Sequence, residues 1–377
     1  LDEGILHFWR GINNFAWGIV VVAWGIDDVE KGIFVVDQGP FGSAESPKKP
    51  AEPAKDKGFA GPDFDESPGV RRAYNARMAS LPPLGAHVSV AGGLATALGR
   101  AADLDCTAIQ IFVKNASQWR GRVLEDEEAA AFRTAHAGSA VGPLVAHASY
   151  LINLAAAEGE IREKSVEALA DELARCCRLG VGGLVLHPGA HLGAGEETGV
   201  ARVAEALDRI HALLPDCPTR VLLENTAGQG TCLGHRLEHL AQIRAQVAEP
   251  HRVGVCLDTC HSFAAGYAIH EAAGYEDFVA QVLDLLGLEA LGCIHLNDSV
   301  KPFASRRDRH AHIGEGEMGL DAFARLLQDP RLQGVPMVLE TEPGDEMEGH
   351  RRDLAVLRGL VEPPAAKGRR RRKLKSS

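Results

Sequence analysis

Asp308 and His310 stand two residues apart in RRDRHAHIGEG (306–316), just ahead of a glycine-rich turn. On an extended segment, residues i and i+2 point to one side, so this carboxylate and imidazole can offer O and N ligands to a divalent cation. In a polar loop such a pair is commonly just solvated; its company changes the reading. His147, His187, Glu224, Asp258, His261, His295 and Glu340 each lie at the end of a separate apolar run or within a few residues of one. The set holds five histidines and four carboxylates. That is too many for one tetrahedral ion and suits two or three if carboxylates bridge. N and O donors without thiolate fit zinc or manganese. Several divalent ions on such ligands can activate water near neutral pH and neutralise the attacking and leaving oxygens of a phosphodiester in line. The competing chemistry is sugar isomerisation or epimerisation, in which two ions hold an open-chain polyol. It leaves His147, His187 and the Asp308–His310 pair without evident work.

The elements that must carry these residues repeat. Short, near-continuous apolar runs rich in β-branched residues occur at 86–90, 108–113, 144–148, 183–187, 220–224, 253–258, 292–296 and 336–340. They have the pattern of strands buried on both faces. Helical spacing is evident over 161–179, where Val166, Leu169, Ala170 and Leu173 share a face, and over 199–214, 237–247, 275–286, 320–327 and 352–360. Eight strand runs over roughly 275 residues, alternating with helical stretches from the third run on, have the count and length of a (β/α)8 TIM barrel, whose active site lies at the carboxyl ends of the strands. His147, His187, Glu224, Asp258, His295 and Glu340 end the third to eighth runs in order, and Asp308 and His310 fall in the loop after the seventh.

Composition sets the boundaries. The chain has 377 residues, 24% of them charged, and a net charge of −11, which argues against a generic polyanion binder. Bound divalent cations would reverse that field locally. Eight cysteines with no CxxC pair read as reduced thiols in a cytoplasmic protein and give no sulfur-based zinc site. The apolar stretch 15–26 is too short to span a bilayer and lacks the basic start of a secretory signal. Residues 1–80 read as an extension or linker, disordered or a non-native start, with Met78 near the expected true start and 1–77 without a role in the chemistry. The barrel domain is expected over 81–362. Residues 363–377, with KGRRRRKLK, form a basic tail suited to non-specific contact with DNA phosphates.

The motifs GAHVSVAGGL (85–94), HASYLINL (147–154), LHPGAH (186–191), LENTAGQGTCLG (223–234), VGVCLDTCHSFAAGY (253–267), HLND (295–298), DRHAHIGEG (308–316) and LET (339–341) resemble, in order, those of endonuclease IV, the zinc-dependent apurinic/apyrimidinic DNA repair endonucleases. The resemblance implies three Zn2+ per chain, with Mn2+ possible at one position. His147, His187 and Glu224 would hold the first. Glu224 would bridge to a second completed by Asp258, His295 and Glu340, and His261, Asp308 and His310 would hold the third. It gives Glu224 and Glu340 the catalytic weight. It implies cleavage 5′ to an abasic site in double-stranded DNA, leaving a 3′-hydroxyl and a 5′-deoxyribose phosphate, removal of 3′-blocking groups, and a monomer. Tyr150 and Leu151 match residues that enter the base stack, and Ser117, Gln118 and Trp119 lie in a second DNA-binding loop. Two departures stand out. Ser117 replaces an Arg that enters the stack, so a weaker grip on DNA is expected. Ala148 replaces an Asp beside the first His, so His147 is expected to lack that acceptor.

Overall fold

A computed structural model describes residues 81–361; the expectations for 1–80 and 363–377 lie outside the described residues. Eight strands form a closed barrel among the described residues: β1 (Leu84–His87), β2 (Ala108–Ile111), β3 (Leu144–His147), β4 (Gly183–Leu186), β5 (Arg220–Glu224), β6 (Val253–Asp258), β7 (Leu291–His295) and β10 (Met337–Leu339). Neighbours pair in parallel, and β10 closes the ring between β7 and β1. The two short strands β8 (Asp298–Ser299) and β9 (His310–Ala311) pair antiparallel in the segment after β7. The TIM barrel expected from the repeated units is the fold.

Helices α1 (Thr96–Asp103), α2 (Asp126–Ala137), α3 (Glu160–Leu179), α4 (Glu196–Leu213), α5 (Leu237–Gln246), α6 (Thr259–Ala265), α7 (Ala272–Leu285), α8 (Leu320–Gln328) and α9 (Glu348–Leu360) connect the strands. In α3 the buried Val166, Leu169, Leu173 and Cys176 recur at spacings of three and four, and the helix stops where Gly180 takes φ 75°, a conformation cheap only for glycine. Helices α1 and α2, which sequence periodicity does not single out, bury little beyond alanines, one leucine and one phenylalanine. Strand β1 is also displaced from the expected 86–90: it begins directly after Pro83, whose carbonyl accepts the Met337 N–H. No described helix is long and apolar enough to cross a membrane.

The barrel interior is a packed layer, not a pore. Ala108, Val145, Val185, Leu222, Cys256, Cys293 and Val338 form a single buried cluster inside it. Leu222 is 1% exposed and fills the space left by Gly183, Gly254 and Gly292, where an added methyl would run into the Leu222 side chain. Leu222→Ala should therefore destabilise the fold by ~2–5 kcal/mol, measured by urea denaturation. A loss under about 1 kcal/mol would mean that the interior closes over the gap instead of keeping a cavity.

Candidate metal centre

Strand periodicity lifts the packed interior layer into a polar one. Two residues beyond each member of the cluster come Gln110, His147, His187, Glu224, Asp258, His295 and Glu340, and on β1 His87 sits in register with Gln110. Alternate strand residues share a face, so all eight are directed to the same end of the barrel. Six of them are the candidate ligands. His87 and Gln110, the two that sequence reading passed over, complete the ring.

Glu224 is the hub and is fully buried. Its Oε2 lies 3.2 Å from His147 Nε2 and 3.1 Å from His187 Nε2. Its Oε1 lies 3.0 Å from His295 Nδ1 and 3.3 Å from His261 Nδ1. The two oxygens thus face two different groups of imidazoles. His295 Nδ1 is also 3.1 Å from Glu340 Oε2 and 3.8 Å from Asp258 Oδ2. His261 turns Nε2 to Asp308 Oδ2 at 3.0 Å, and Asp308 Oδ1 is 3.2 Å from His310 Nε2. Despite that proximity, the buried His310 Nε2 makes no well-directed hydrogen bond. All nine residues singled out from sequence are brought to one end of the barrel.

Several ring nitrogens are tied down by partners outside this set of nine residues, which fixes the ring orientations. His147 Nδ1–H donates to the Ala148 carbonyl at 2.7 Å. The Asp acceptor is absent, as Ala148 implies, and the Ala148 backbone carbonyl takes the Nδ1–H. His261 Nδ1–H donates to Asn225 O at 2.9 Å, which leaves Nε2 for Asp308. His295 Nε2–H donates to Gln110 Oε1 at 2.9 Å, and the Gln110 amide donates to Glu340 Oε1 at 2.5 Å and to His87 Nδ1 at 3.0 Å. Asn297 Nδ2 donates to Asp258 Oδ2 at 2.6 Å while its Oδ1 accepts the Glu340 N–H at 2.8 Å. Such outer partners set the orientation and basicity of ligating groups.

The segment carrying Asp308 and His310 is anchored by Asp298, which is fully buried. Its carboxylate accepts four backbone N–H groups, from Ser299, Gly314, Gly316 and Met318, at 2.8–3.1 Å. A side chain at Gly316 would collide with that carboxylate, so the glycine-rich run is demanded by close approach.

The electrostatics suit cations. Burial opposes ionisation of Glu224, but the charges of His295 and His187 outweigh it and hold the carboxyl well below its usual range. Glu340 behaves likewise through His295, and Asp308 through His261. Burial alone would lower His261 and His295; the surrounding negative groups lift both well above the ordinary imidazole range, and His310 is pushed up to about 9. Imidazoles drawn this strongly to positive charge mark a field that a divalent ion would satisfy. Donor atoms lie within 4.8 Å of one another in the groups His147–His187–Glu224, Glu224–Asp258–His295–Glu340 and Asp258–His261–His310. Cys260 stands beside Asp308 and His310, and burial and then Asp258 push its thiol up to about 12. The N and O donors of the nine residues fit hard-to-borderline divalent ions such as zinc.

The DNA-binding candidates flank this centre. Tyr150 and Leu151 are 47% and 38% exposed, and the Tyr150 ring lies 5.4 Å from that of His147. Ser117 and Gln118 are exposed, whereas Trp119 is half-buried against the hydrophobic core.

Comparison with known proteins gives the family. Residues 98–360 match the xylose isomerase-like TIM barrel family, and this is the class that the barrel and its ring of ligand-type residues define. Within it, the chain is similar to the probable endonuclease 4 of Chloroflexus aurantiacus, with 49% identity over 75% of this chain and 99% of the relative. The probable endonuclease 4 of Geobacter sulfurreducens is likewise 49% identical, over 76% of this chain and 97% of the relative. The crystal structure of endonuclease IV from Thermus thermophilus superposes with a TM-score of 0.66 at 41% identity, covering 74% and 98% of the two chains. A D-tagatose 3-epimerase-like protein shares the fold alone, with a TM-score of 0.56 at 19% identity. The chain belongs to the endonuclease IV family.

Proposed function

We propose that this protein is a DNA repair endonuclease. It hydrolyses the phosphodiester 5′ to an abasic site in duplex DNA, leaves a 3′-hydroxyl and a 5′-deoxyribose phosphate, and removes 3′-blocking groups. The observation that carries the reading is the division of Glu224, one oxygen toward His147 and His187 and the other toward His295 and His261. A carboxylate so placed can bridge two cations. His147, His187 and Glu224 would hold one zinc, and Glu224, Asp258, His295 and Glu340 a second. Asp308, set between His261 and His310, completes a third set. Manganese is the alternative occupant at one position. When bound, such ions lower the pKa of a water nucleophile and stabilise the departing oxygen. The protein's own part is positional. Asn297 and Gln110 aim Asp258 and Glu340. Exposed Tyr150 and Leu151, beside the ligands, are suited to entering an unstacked duplex and holding it open. The cytoplasm fits eight free thiols, and a monomer suffices because every candidate ligand comes from one chain.

The test is elemental analysis of the purified protein together with cleavage of a duplex carrying one abasic site in buffer without Mg2+. About three zinc per chain with nicking 5′ to the lesion is expected. Two metals with no nicking, and turnover of monosaccharides instead, would overturn the reading. A finer expectation concerns the third set: His310→Ala should lower the zinc content by about one ion per chain. Unchanged zinc in that variant would remove His310 from the ligand set.

A further inference from the structure

The two loops that flank the metal ligands, Asn115–Trp119 after β2 and Ser149–Leu151 after β3, are joined from beneath by one buried ion pair. Lys114 Nζ lies 3.1 Å from Glu172 Oε1 on α3, and the two side chains are 2% and 1% exposed. Lys114 also donates to the carbonyls of Gln118 at 2.9 Å and Trp119 at 2.8 Å. An ammonium has three N–H groups, and all three are thereby used. On the other side, Glu172 Oε2 accepts the Ser149 N–H at 3.0 Å. Ser149 Oγ–H closes the circuit by donating to the Ala116 carbonyl at 2.5 Å. One loop is thus held by the ammonium, the other by the carboxylate, and the two touch each other through Ser149.

A buried ion pair is a weak source of stability, because an apolar pair of similar volume commonly serves as well or better. What this pair supplies that an apolar pair cannot is the set of hydrogen bonds to two separate loop backbones. Those loops carry Ser117 and Gln118 on one side and Tyr150 and Leu151 on the other, all exposed. We propose that the Lys114–Glu172 pair is a positioning device that fixes these two loops as one rigid jaw, setting how the enzyme engages the duplex around the lesion. The inference rests on the abasic-DNA reading above and deepens it. It assigns two buried residues, neither a metal ligand nor in contact with substrate, to recognition and not to the chemical step.

The test uses the zinc-loaded enzyme and a duplex with one tetrahydrofuran abasic analogue. Lys114→Met, Glu172→Gln and the double variant Lys114→Met/Glu172→Met are compared for KM, kcat, zinc content and thermal midpoint. Misplacing groups by about an ångström can cost up to ~100-fold, so KM is expected to rise about tenfold or more in each single variant. Zinc content should equal that of the wild type and kcat should stay within about threefold, the signature of lost binding. The double variant should recover the thermal midpoint without recovering KM. A purely structural role predicts that both recover together, and that result overturns the proposal, as does a wild-type KM in the single variants. Should the charge variants fail to fold, Ser149→Ala removes the hydroxyl that bridges to Ala116 O and also accepts the Leu151 N–H; it should raise KM without lowering the thermal midpoint, and an unchanged KM overturns the proposal. A wild-type enzyme that carries zinc but does not cleave the duplex would instead remove the functional reading on which this inference stands.

Discussion

Glu224→Gln is expected to give a folded barrel that has lost nearly all cleavage. The substitution keeps the shape of the side chain and one acceptor oxygen, but the other oxygen becomes an NH2 group with no lone pair to offer a cation. Because the two oxygens of Glu224 face different imidazole groups, 3.1–3.2 Å on one side and 3.0–3.3 Å on the other, one side must lose its partner whichever way the amide turns. The amide also removes a negative charge from a fully buried position among histidines. Circular dichroism should show an intact fold, zinc content should fall, and the nicking rate should drop by well over tenfold. Retention of more than about a tenth of the rate, an effect of ~1.4 kcal/mol or less, would contradict the bridging role.

Removal of the metals should be at least as damaging. Glu224 and Asp258 are fully buried, and the Glu340 and Asp308 side chains are 13% and 17% exposed. Four carboxylates so close together, all drawn to ionisation or already in contact with imidazoles, require compensating positive charge. Dialysis against a strong chelator should therefore abolish nicking and lower the thermal midpoint, and added Zn2+ should restore both while Mg2+ alone does not. At free zinc about 1,000-fold above its Kd, binding to the native state alone contributes ~4 kcal/mol. Full activity in protein shown by elemental analysis to hold no transition metal would refute the metal centre.

Most of the barrel and the ring of candidate ligands is legible in the sequence because two periodicities coincide. Strands buried on both faces read as short apolar runs, and a polar residue ending such a run, as at His147, Glu224, Asp258 or His295, lies at the carboxyl end of its strand. The Asp308–His310 spacing is legible for the same geometric reason. His87 and Gln110 belong to the same ring but escape notice. Gln110 sits inside the run AIQIFV, and β1 begins two residues earlier than its apolar content suggests, so His87 looks like an interruption and not a terminus. A polar residue two places beyond a buried interior position on every strand was the signal that would have found both. Contacts between distant segments leave no such trace. Nothing near Asp298 announces that it will gather three amides from sixteen residues onward, and nothing near Lys114 announces Glu172 on a helix one unit away. The Ala148 departure is visible in the sequence, but its remedy is a backbone carbonyl, which has no letter.

The closing strand has a consequence for how the molecule comes into being. The barrel is sealed by β10, which lies between β1 and β7 although it is the last strand in the chain, and Glu340 follows it directly. A polypeptide emerging from the ribosome offers His147 and His187 early, then Glu224, Asp258, His295 and the Asp308–His310 pair. It lacks one of the four donors grouped around His295 until almost its whole barrel has been synthesised. The nascent chain therefore cannot complete that donor group before Glu340 emerges, and a duplex meeting an unfinished molecule meets an incomplete blade.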